Sequence, residues 1–364
     1  MDGTPLQRHR RARNWTQEQV ADQLRQLGGD DLGIDANAVS RHERGIIAMP
    51  RPPYPELYAR LYRTTVGTLW PPGRIGGMER RRFLQAMAAT TGAALLPGGD
   101  PSVEAITTVT GGFRRLESTT AAADLGAPVN AHLRFIAGRI DRGGSQVAAA
   151  ASEAAGLAAW LAVDQADDAA ARRHYRQAVG YAHRSGSEVL AGYMLGSMAL
   201  WTAETGRATE AARLLAQARH TIPDTAPPTV HAWLAAIEAT AQASAGDADA
   251  SLAGCKRAET AVAAGHDPMW PWLFPFDATK LAGYVGACAT RLRLPRTALP
   301  ALSEALDGLG PARTKQRALV LADLAVNHRA LGDDDQAREL AAEAHAIGIE
   351  RNSPKVLRRV RLAA

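Results

Sequence analysis

The sequence predicts an all-α protein in which a small basic helical domain precedes a longer array of helix hairpins. Three observations lead to this prediction. Apolar and small residues recur at spacings of three and four, which is the helical period. From about residue 100 onward there is no convincing alternation of apolar and polar residues of the kind that strands show. At 364 residues the chain also exceeds one ordinary core, so two or more units are expected.

The excess positive charge lies in the first quarter of the chain. Residues 1–82 carry 14 Arg and no Lys against 9 acidic residues, whereas residues 83–364 carry 28 basic and 28 acidic residues. A basic unit joined to a neutral one is typical of a polyanion-binding domain attached to a body with another role. A solvated basic surface explains the charge equally well, so the motifs must decide.

Two capped helices follow a short basic helix near the start of the chain. Thr16 and Gln19 form a capping-box pattern at the start of TQEQVADQL. After a turn rich in Gly and Asp at residues 28–33, Asp35 can cap a second helix, DANAVSRHER. Val39 is the inward residue of that helix. Its outward residues are then Asn37, Ser40, Arg41 and Arg44.

This segment resembles the Cro/repressor-type (XRE) helix-turn-helix family over roughly residues 5–70. The match is carried by residues 16–21 (TQEQVA) and 37–45 (NAVSRHERG), because both helices agree in order and type. The resemblance implies that the second helix lies in the major groove of double-stranded operator DNA while the first crosses the backbone. It further implies that an ion pair between Arg10 and Glu43 holds the basic helix against the second helix.

The resemblance also gives individual residues a role at DNA. It implies a phosphate contact for Gln17 and a position near the DNA backbone for Arg44. The residues implied to face base edges are Ala36, Asn37 and Arg41, and Ser40 lies on the same outward face. Asn can bind adenine and Arg can bind guanine through paired hydrogen bonds, each worth about 1–3 kcal/mol of discrimination. The alternative is that these residues only keep an exposed face soluble. The long turn at 28–33 leaves the docking angle open.

Proline residues between 50 and 55 end this helical region. The segment PELYARLYRTTVGTLWP then resembles the closing helix of such domains, with Leu57, Leu61 and Leu69 as core candidates. A Pro/Gly run at 71–77 predicts a linker. We therefore predict a DNA-binding domain at 1–72, a linker with an interdomain helix at 73–100, and a repeat domain at 101–364. The RRRFL sequence at 80–84 is similar to a twin-arginine export signal, but it follows a folded domain, so we expect a cytoplasmic protein without a membrane span.

The repeat domain shows one recurring frame. A small residue is followed seven positions later by a turn position, five later by a small residue and seven later by Ala. The frames are Ala159/Ala166/Ala171/Ala178, Ala199/Gly206/Ala211/Ala218, Ala239/Gly246/Ser251/Ala258, Gly286/Arg293/Ala298/Ala305 and Ala325/Gly332/Ala337/Ala344. This pattern resembles the tetratricopeptide repeat family and implies an α-solenoid, although the steps of 39–47 residues exceed the usual repeat of about 34.

In that family the first helix of each hairpin lines an inner groove. The groove positions implied here are Glu153, Trp160, Tyr193, Trp233, Thr240, Lys280, Thr290 and Arg329. Aromatics and both signs of charge suit a peptide or a polar small molecule, but Trp160 and Trp233 could instead fill gaps between Ala-rich helices. The aromatic segment at 268–276 could be a lid, a dimer contact or a packing element.

No motif predicts catalysis, a cofactor or a metal site. Walker, GxGxxG, HExxH and GxSxG patterns are absent, and Cys255 and Cys288 are interpreted as buried apolar thiols. The leading hypothesis is therefore a homodimeric transcription regulator whose repeat domain senses a peptide or small-molecule effector, and not an enzyme. The alternative is an adaptor tethered to DNA, with the solenoid binding a partner protein. Operator, effector and sign of regulation stay open.

Overall fold

The computed structural model describes residues 4–29, 32–44, 50, 53–64, 66–69, 102–265, 276–312 and 314–363. The regular structure of these residues is entirely helical, which confirms the predicted all-α class. The chain divides into two compact units, residues 1–80 and 81–364, and each is described by itself. The predicted interdomain helix at 73–100 and residues 268–275 of the aromatic segment lie outside the described residues.

The first unit contains five described helices around one apolar core. They are α1 (Pro5–Arg11), α2 (Gln17–Gly28), α3 (Ala36–Glu43), α4 (Tyr54–Tyr62) and α5 (Val66–Leu69). The predicted caps are present: Thr16 Oγ1 accepts from the Gln19 amide at 3.1 Å, and Asp35 Oδ1 accepts from the Ala38 amide at 2.7 Å. The core joins the inward faces of α1 to α5 through Leu6, Val20, Leu24, Val39, Leu57, Tyr58, Tyr62 and Leu69.

The second unit is a series of antiparallel helix hairpins. An introductory pair, α6 (Val103–Glu117) and α7 (Ala122–Ala137), comes first. The five hairpins are α8 (Ile140–Asp164) with α9 (Asp168–Ser185), α10 (Glu188–Glu204) with α11 (Ala208–Thr221), α12 (Pro228–Ala245) with α13 (Ala248–Ala263), α14 (Ala278–Arg291) with α15 (Pro295–Leu309), and α16 (Lys315–Ala330) with α17 (Asp334–Glu350). A short helix, α18 (Pro354–Val360), follows the last hairpin.

The predicted frame coincides with these hairpins. All five turn positions have a left-handed backbone, with φ between 58° and 83°: Ala166, Gly206, Gly246, Arg293 and Gly332. The alanines at the small positions are 2 % exposed or less. A side chain at Gly286 would meet Leu302 of α15 at 2.6 Å, so small residues allow the close approach of the paired helices. The solenoid therefore follows from sterics that are visible in the sequence.

Helix α8 is the one described helix whose length and composition would suit a membrane span. Of its most apolar window, 72 % is buried inside the fold, which is the environment of a core helix. Gly144, at φ 63°, interrupts the helix near its start. The apolar character of α8 is thus explained by packing against α7 and α9.

Candidate functional site

The exposed face of α3 carries the side chains implied to contact DNA. Asn37, Arg41 and Arg44 are exposed, and Ala36 and Ser40 are half-buried. The only acidic residue of α3, Glu43, is fully buried on the opposite side. The face therefore offers one amide, one hydroxyl and two guanidinium groups with no carboxylate among them, which is a surface suited to a polyanion.

Glu43 ties three helices together beneath that face. Arg10 Nε and Nη2 of α1 donate to its two carboxylate oxygens at 2.6 and 3.0 Å, and Gln17 Nε2 of α2 donates at 2.9 Å. Thr4 Oγ1 donates to the Glu43 carbonyl at 2.7 Å. The hydrogen bond to Glu43 raises the pKa of Arg10 above its usual value. The ion pair implied by the resemblance is thus present in the structure.

The side-chain amide of Gln17 must serve both Glu43 and the phosphate contact that the resemblance implies. Its side chain is half-buried, and one of its amide hydrogens is directed to Glu43. A side-chain amide has two donor hydrogens, so one remains for another acceptor. Gln17 is also the first residue of α2, where the backbone amides of a helix N-terminus favour an anion.

A group of aromatic side chains behind α3 was not predicted from the sequence. His42 Nδ1 lies 3.2 Å from the Tyr58 hydroxyl, and Tyr58 stacks on Tyr62 with ring centroids 6.1 Å apart. Burial and the nearby Arg41 charge lower the pKa of His42. The tyrosines at 54, 58 and 62 follow the i, i+4 spacing of one helix face, and that spacing was the signal in the sequence.

The long turn between α2 and α3 is divided between helix and connection. Helix α2 extends to Gly28, and the described parts of the connection contain Gly29 and Gly33, both with positive φ. A side chain at Gly28 would meet Leu57 at 2.8 Å. The long turn predicted at 28–33 therefore belongs in part to the end of α2.

In the solenoid, the structure brings three of the implied groove residues together. The rings of Tyr193 and Trp233 have centroids 4.8 Å apart, and Arg114 Nη2 donates to the Glu153 carbonyl at 3.1 Å. Arg114 also hydrogen-bonds with Tyr193. Burial raises the pKa of Glu153 to about 7, against the opposing charge of Arg114. These residues form a polar cluster in which Tyr193 and Trp233 are buried and Arg114 and Glu153 are half-buried, and Arg114 is a member that the sequence did not predict.

Trp160 and Lys280 lie near a second group of charged side chains in the solenoid, Glu117 and Lys355. Trp160 Nε1 donates to Glu117 Oε1 at 2.9 Å, and Lys355 Nζ lies 4.7 Å from the centre of the indole. Burial lowers the pKa of Lys280 to about 8. Trp160 is 37 % exposed, so it combines a packing contact with a surface that a ligand could reach.

The other implied groove residues have a different placement. Thr240 and Thr290 are buried, and their hydroxyls donate to the carbonyls of Ala236 and Gly286 one turn earlier, at 2.9 and 2.8 Å. Asn327 Nδ2 donates to Thr290 Oγ1 at 2.7 Å. These two threonines belong to the packing between successive hairpins, which corrects their assignment to an open groove. Arg329 is half-buried.

The last helices of the solenoid fold back onto the first. Lys315 Nζ lies 2.8 Å from Asp164 Oδ2 and 3.2 Å from Glu117 Oε1, and Ser353 Oγ donates to Asp164. Lys355 Nζ lies 3.1 Å from Glu204 Oε2. We call these the closing contacts. Lys315 and Lys355 are two of only four lysines in an arginine-rich chain.

No protein-family model matches the chain, and no curated protein matches it. In the described parts of the chain, no group of three or more His, Cys, Asp or Glu side chains could hold a metal ion. The assignment of a function therefore depends on the geometry of α3 and of the solenoid interior.

Proposed function

We propose that the chain is a cytoplasmic, sequence-specific DNA-binding transcription regulator of the XRE type. The exposed face of α3 carries this proposal. It presents Asn37, Arg41 and Arg44, and the exposed carboxylate beside them, that of Asp35, is engaged as the N-cap of the helix. The buried Glu43 fixes the helix from behind. A rigid helix with amide and guanidinium groups on its outer face has the chemistry of major-groove recognition.

Each side chain has a role that follows from its chemistry. Asn37 and Arg41 form paired hydrogen bonds to base edges, while Arg44 and Gln17 contact phosphates and fix the register. A homodimer would place its two recognition helices about 34–36 Å apart, which is one turn of DNA. The phosphate contacts make the affinity fall as salt concentration rises.

The solenoid interior is the proposed sensor. The cluster of Arg114, Glu153 and Tyr193 combines a guanidinium group, a titratable carboxyl group and an aromatic ring, which suits a peptide or a polar small molecule. An effector alters DNA binding only if it has different affinities for two shapes of the protein. The closing contacts supply an element that could differ between two such shapes.

The closing contacts also favour the second candidate function, a DNA-tethered adaptor. They join the first and last hairpins of the solenoid through Asp164 and Lys315. In this alternative a partner protein binds elsewhere on the solenoid, and the first unit only positions it on DNA.

Selection of binding sites from random DNA duplexes with the purified full-length chain tests the proposal. We expect enrichment of a short sequence, near-palindromic if the protein binds as a dimer. The same selection with Arg41→Ala should enrich a more degenerate site. Uniform recovery of all duplexes by the wild-type protein would overturn sequence-specific recognition and favour the adaptor.

A further inference from the structure

The only two cysteines of the chain meet inside the solenoid. Cys255 lies on α13 and Cys288 on α14, in helices of two successive hairpins. Both are buried in one small cluster with Ala239 and Ala243, where the two thiols lie next to each other. Both cysteines are buried free thiols, as the sequence predicted, and the structure adds that they share one cluster.

The surroundings of Cys288 are polar for a buried site. Thr240 Oγ1 lies 3.6 Å from Cys288 Sγ, and the Ser251 hydroxyl also contacts the thiol. Hydrogen bonding from Cys255, and then from Thr240 together with the charge of Arg291, lowers the pKa of Cys288 to about 7. The same pairing and burial raise the pKa of Cys255. The hydroxyl of Thr240 can stabilise a thiolate at Cys288, whereas burial raises the pKa of Cys255, so we assign Cys288 as the nucleophile and Cys255 as its resolving partner.

We propose that Cys255 and Cys288 form a reversible intrachain disulfide when the protein meets a small peroxide. The Cys288 thiolate attacks one peroxide oxygen, the O–O bond breaks, and the departing hydroxide takes up the proton that the thiol had lost, which leaves a sulfenic acid on Cys288 and one molecule of water. The Cys255 sulfur then attacks the sulfenic sulfur, which forms the S–S bond and releases a second water. The balance is two thiols and one hydrogen peroxide to one disulfide and two waters.

Small movements suffice for this step. The two neighbouring sulfurs must approach each other to about 2.05 Å, which is the length of a disulfide bond. Hydrogen peroxide is little larger than water, so local opening of the α13–α14 contact admits it. The new bond would add a covalent link between two hairpins that already pack together and share the contact of Thr240 with Cys288. The inference does not depend on DNA binding.

The test is oxidation of the reduced full-length chain with hydrogen peroxide, followed by intact-mass analysis. We expect a loss of 2 Da, a fall in titratable thiols from two to none after denaturation, and a linked peptide pair containing Cys255 and Cys288. Dithiothreitol should reverse all three. The melting temperature of the oxidised protein should rise by about 5 °C because the crosslink restricts the unfolded chain.

Cys255→Ser is the matched control, since it retains the nucleophile without its partner. It should show no loss of 2 Da and should gain 16 Da as a sulfenic acid. An unchanged wild-type mass, gains of 32 or 48 Da, or disulfide-linked dimers in place of the intrachain link would overturn the proposal. If the serine variant does not fold, the linked peptide in the wild-type digest decides alone.

Discussion

Glu43 is fully buried and accepts hydrogen bonds from side chains of α1 and α2. A buried carboxylate is stable only when its charge is paired and its oxygens are hydrogen-bonded. Arg10 and Gln17 meet both conditions, and so Glu43 fixes the orientation of α3. Replacing the exposed residues of that helix should therefore cost much less stability than replacing Glu43.

Glu43→Gln should therefore loosen the first unit without touching its exposed face. Loss of one partner of a buried ion pair costs about 3 kcal/mol, which corresponds to roughly 100-fold faster opening of α1 and α3. Hydrogen–deuterium exchange of peptides from these helices, in the full-length chain, measures the change. Asp22→Asn is the matched control, because its exposed pair with Arg25 should change stability by less than about 0.5 kcal/mol. Equal exchange in both variants would contradict the role of Glu43.

Glu153 makes the stability of the solenoid depend on pH. Its pKa is about 7 in the folded protein against 4.5 as the ordinary value, so the folded state retains a proton that the unfolded state loses between these values. The free energy of unfolding therefore falls as pH rises from 4.5 to 7 and is constant above that range. Glu153→Gln should remove this slope. At pH 8 its free energy of unfolding should exceed that of the wild type by about 2 kcal/mol, which is less than the full pKa difference would give because solvent screens the partly exposed side chain. Urea unfolding of the wild type and the variant at pH 5 and pH 8 measures this difference. Parallel pH profiles of the two proteins would contradict the prediction.

At the scale of the helices, the repeat frame was readable from the sequence because its causes are local. A left-handed turn residue and small residues at fixed offsets are properties of each hairpin alone. All five turn positions have positive φ, including Ala166 and Arg293, where the chain lacks glycine. The i, i+4 spacing of the tyrosines in α4 is an equally local signal.

Exchanges at the turn positions should change stability in opposite directions. Ala166→Gly relieves a left-handed alanine, so we expect a gain of up to about 1 kcal/mol. Gly206→Ala introduces the same strain, and no atom lies within 4 Å of the new Cβ, so a loss of about 1 kcal/mol reflects backbone conformation alone. Urea unfolding of the two variants beside the wild type measures both effects. Shifts of the same sign would contradict this account of the turns.

At the scale of the whole solenoid, the closing contacts could not be predicted. They join side chains separated by 151 residues (Lys315 to Asp164) and 189 residues (Ser353 to Asp164). No periodic pattern connects such positions, since their meeting depends on the accumulated rotation of every hairpin between them. For the same reason the sequence placed Thr240 and Thr290 in an open groove, whereas they pack between hairpins.

Asp164→Ala should release the end of the solenoid. The substitution leaves Lys315 with Glu117 as its remaining carboxylate partner and removes the acceptor of Ser353. A cost of about 3 kcal/mol is expected for a buried pair of this kind. Hydrogen–deuterium exchange of residues 354–360 should rise sharply, while Asp335→Ala, at an exposed ion pair, should leave it unchanged. Slow exchange of α18 in the Asp164 variant would show that the closing contacts are dispensable.

The most direct test of base recognition by α3 is to measure the DNA-binding affinities of Arg41→Ala and Arg44→Ala. Each variant is measured on a selected duplex and on the same duplex with one base pair changed, at two salt concentrations. We predict that Arg41→Ala weakens binding to the selected duplex but not to the changed one, so that about 1–3 kcal/mol of discrimination is lost. Arg44→Ala should weaken binding to both duplexes equally and reduce the salt slope by about one. Undiminished discrimination by Arg41→Ala would contradict base recognition by α3.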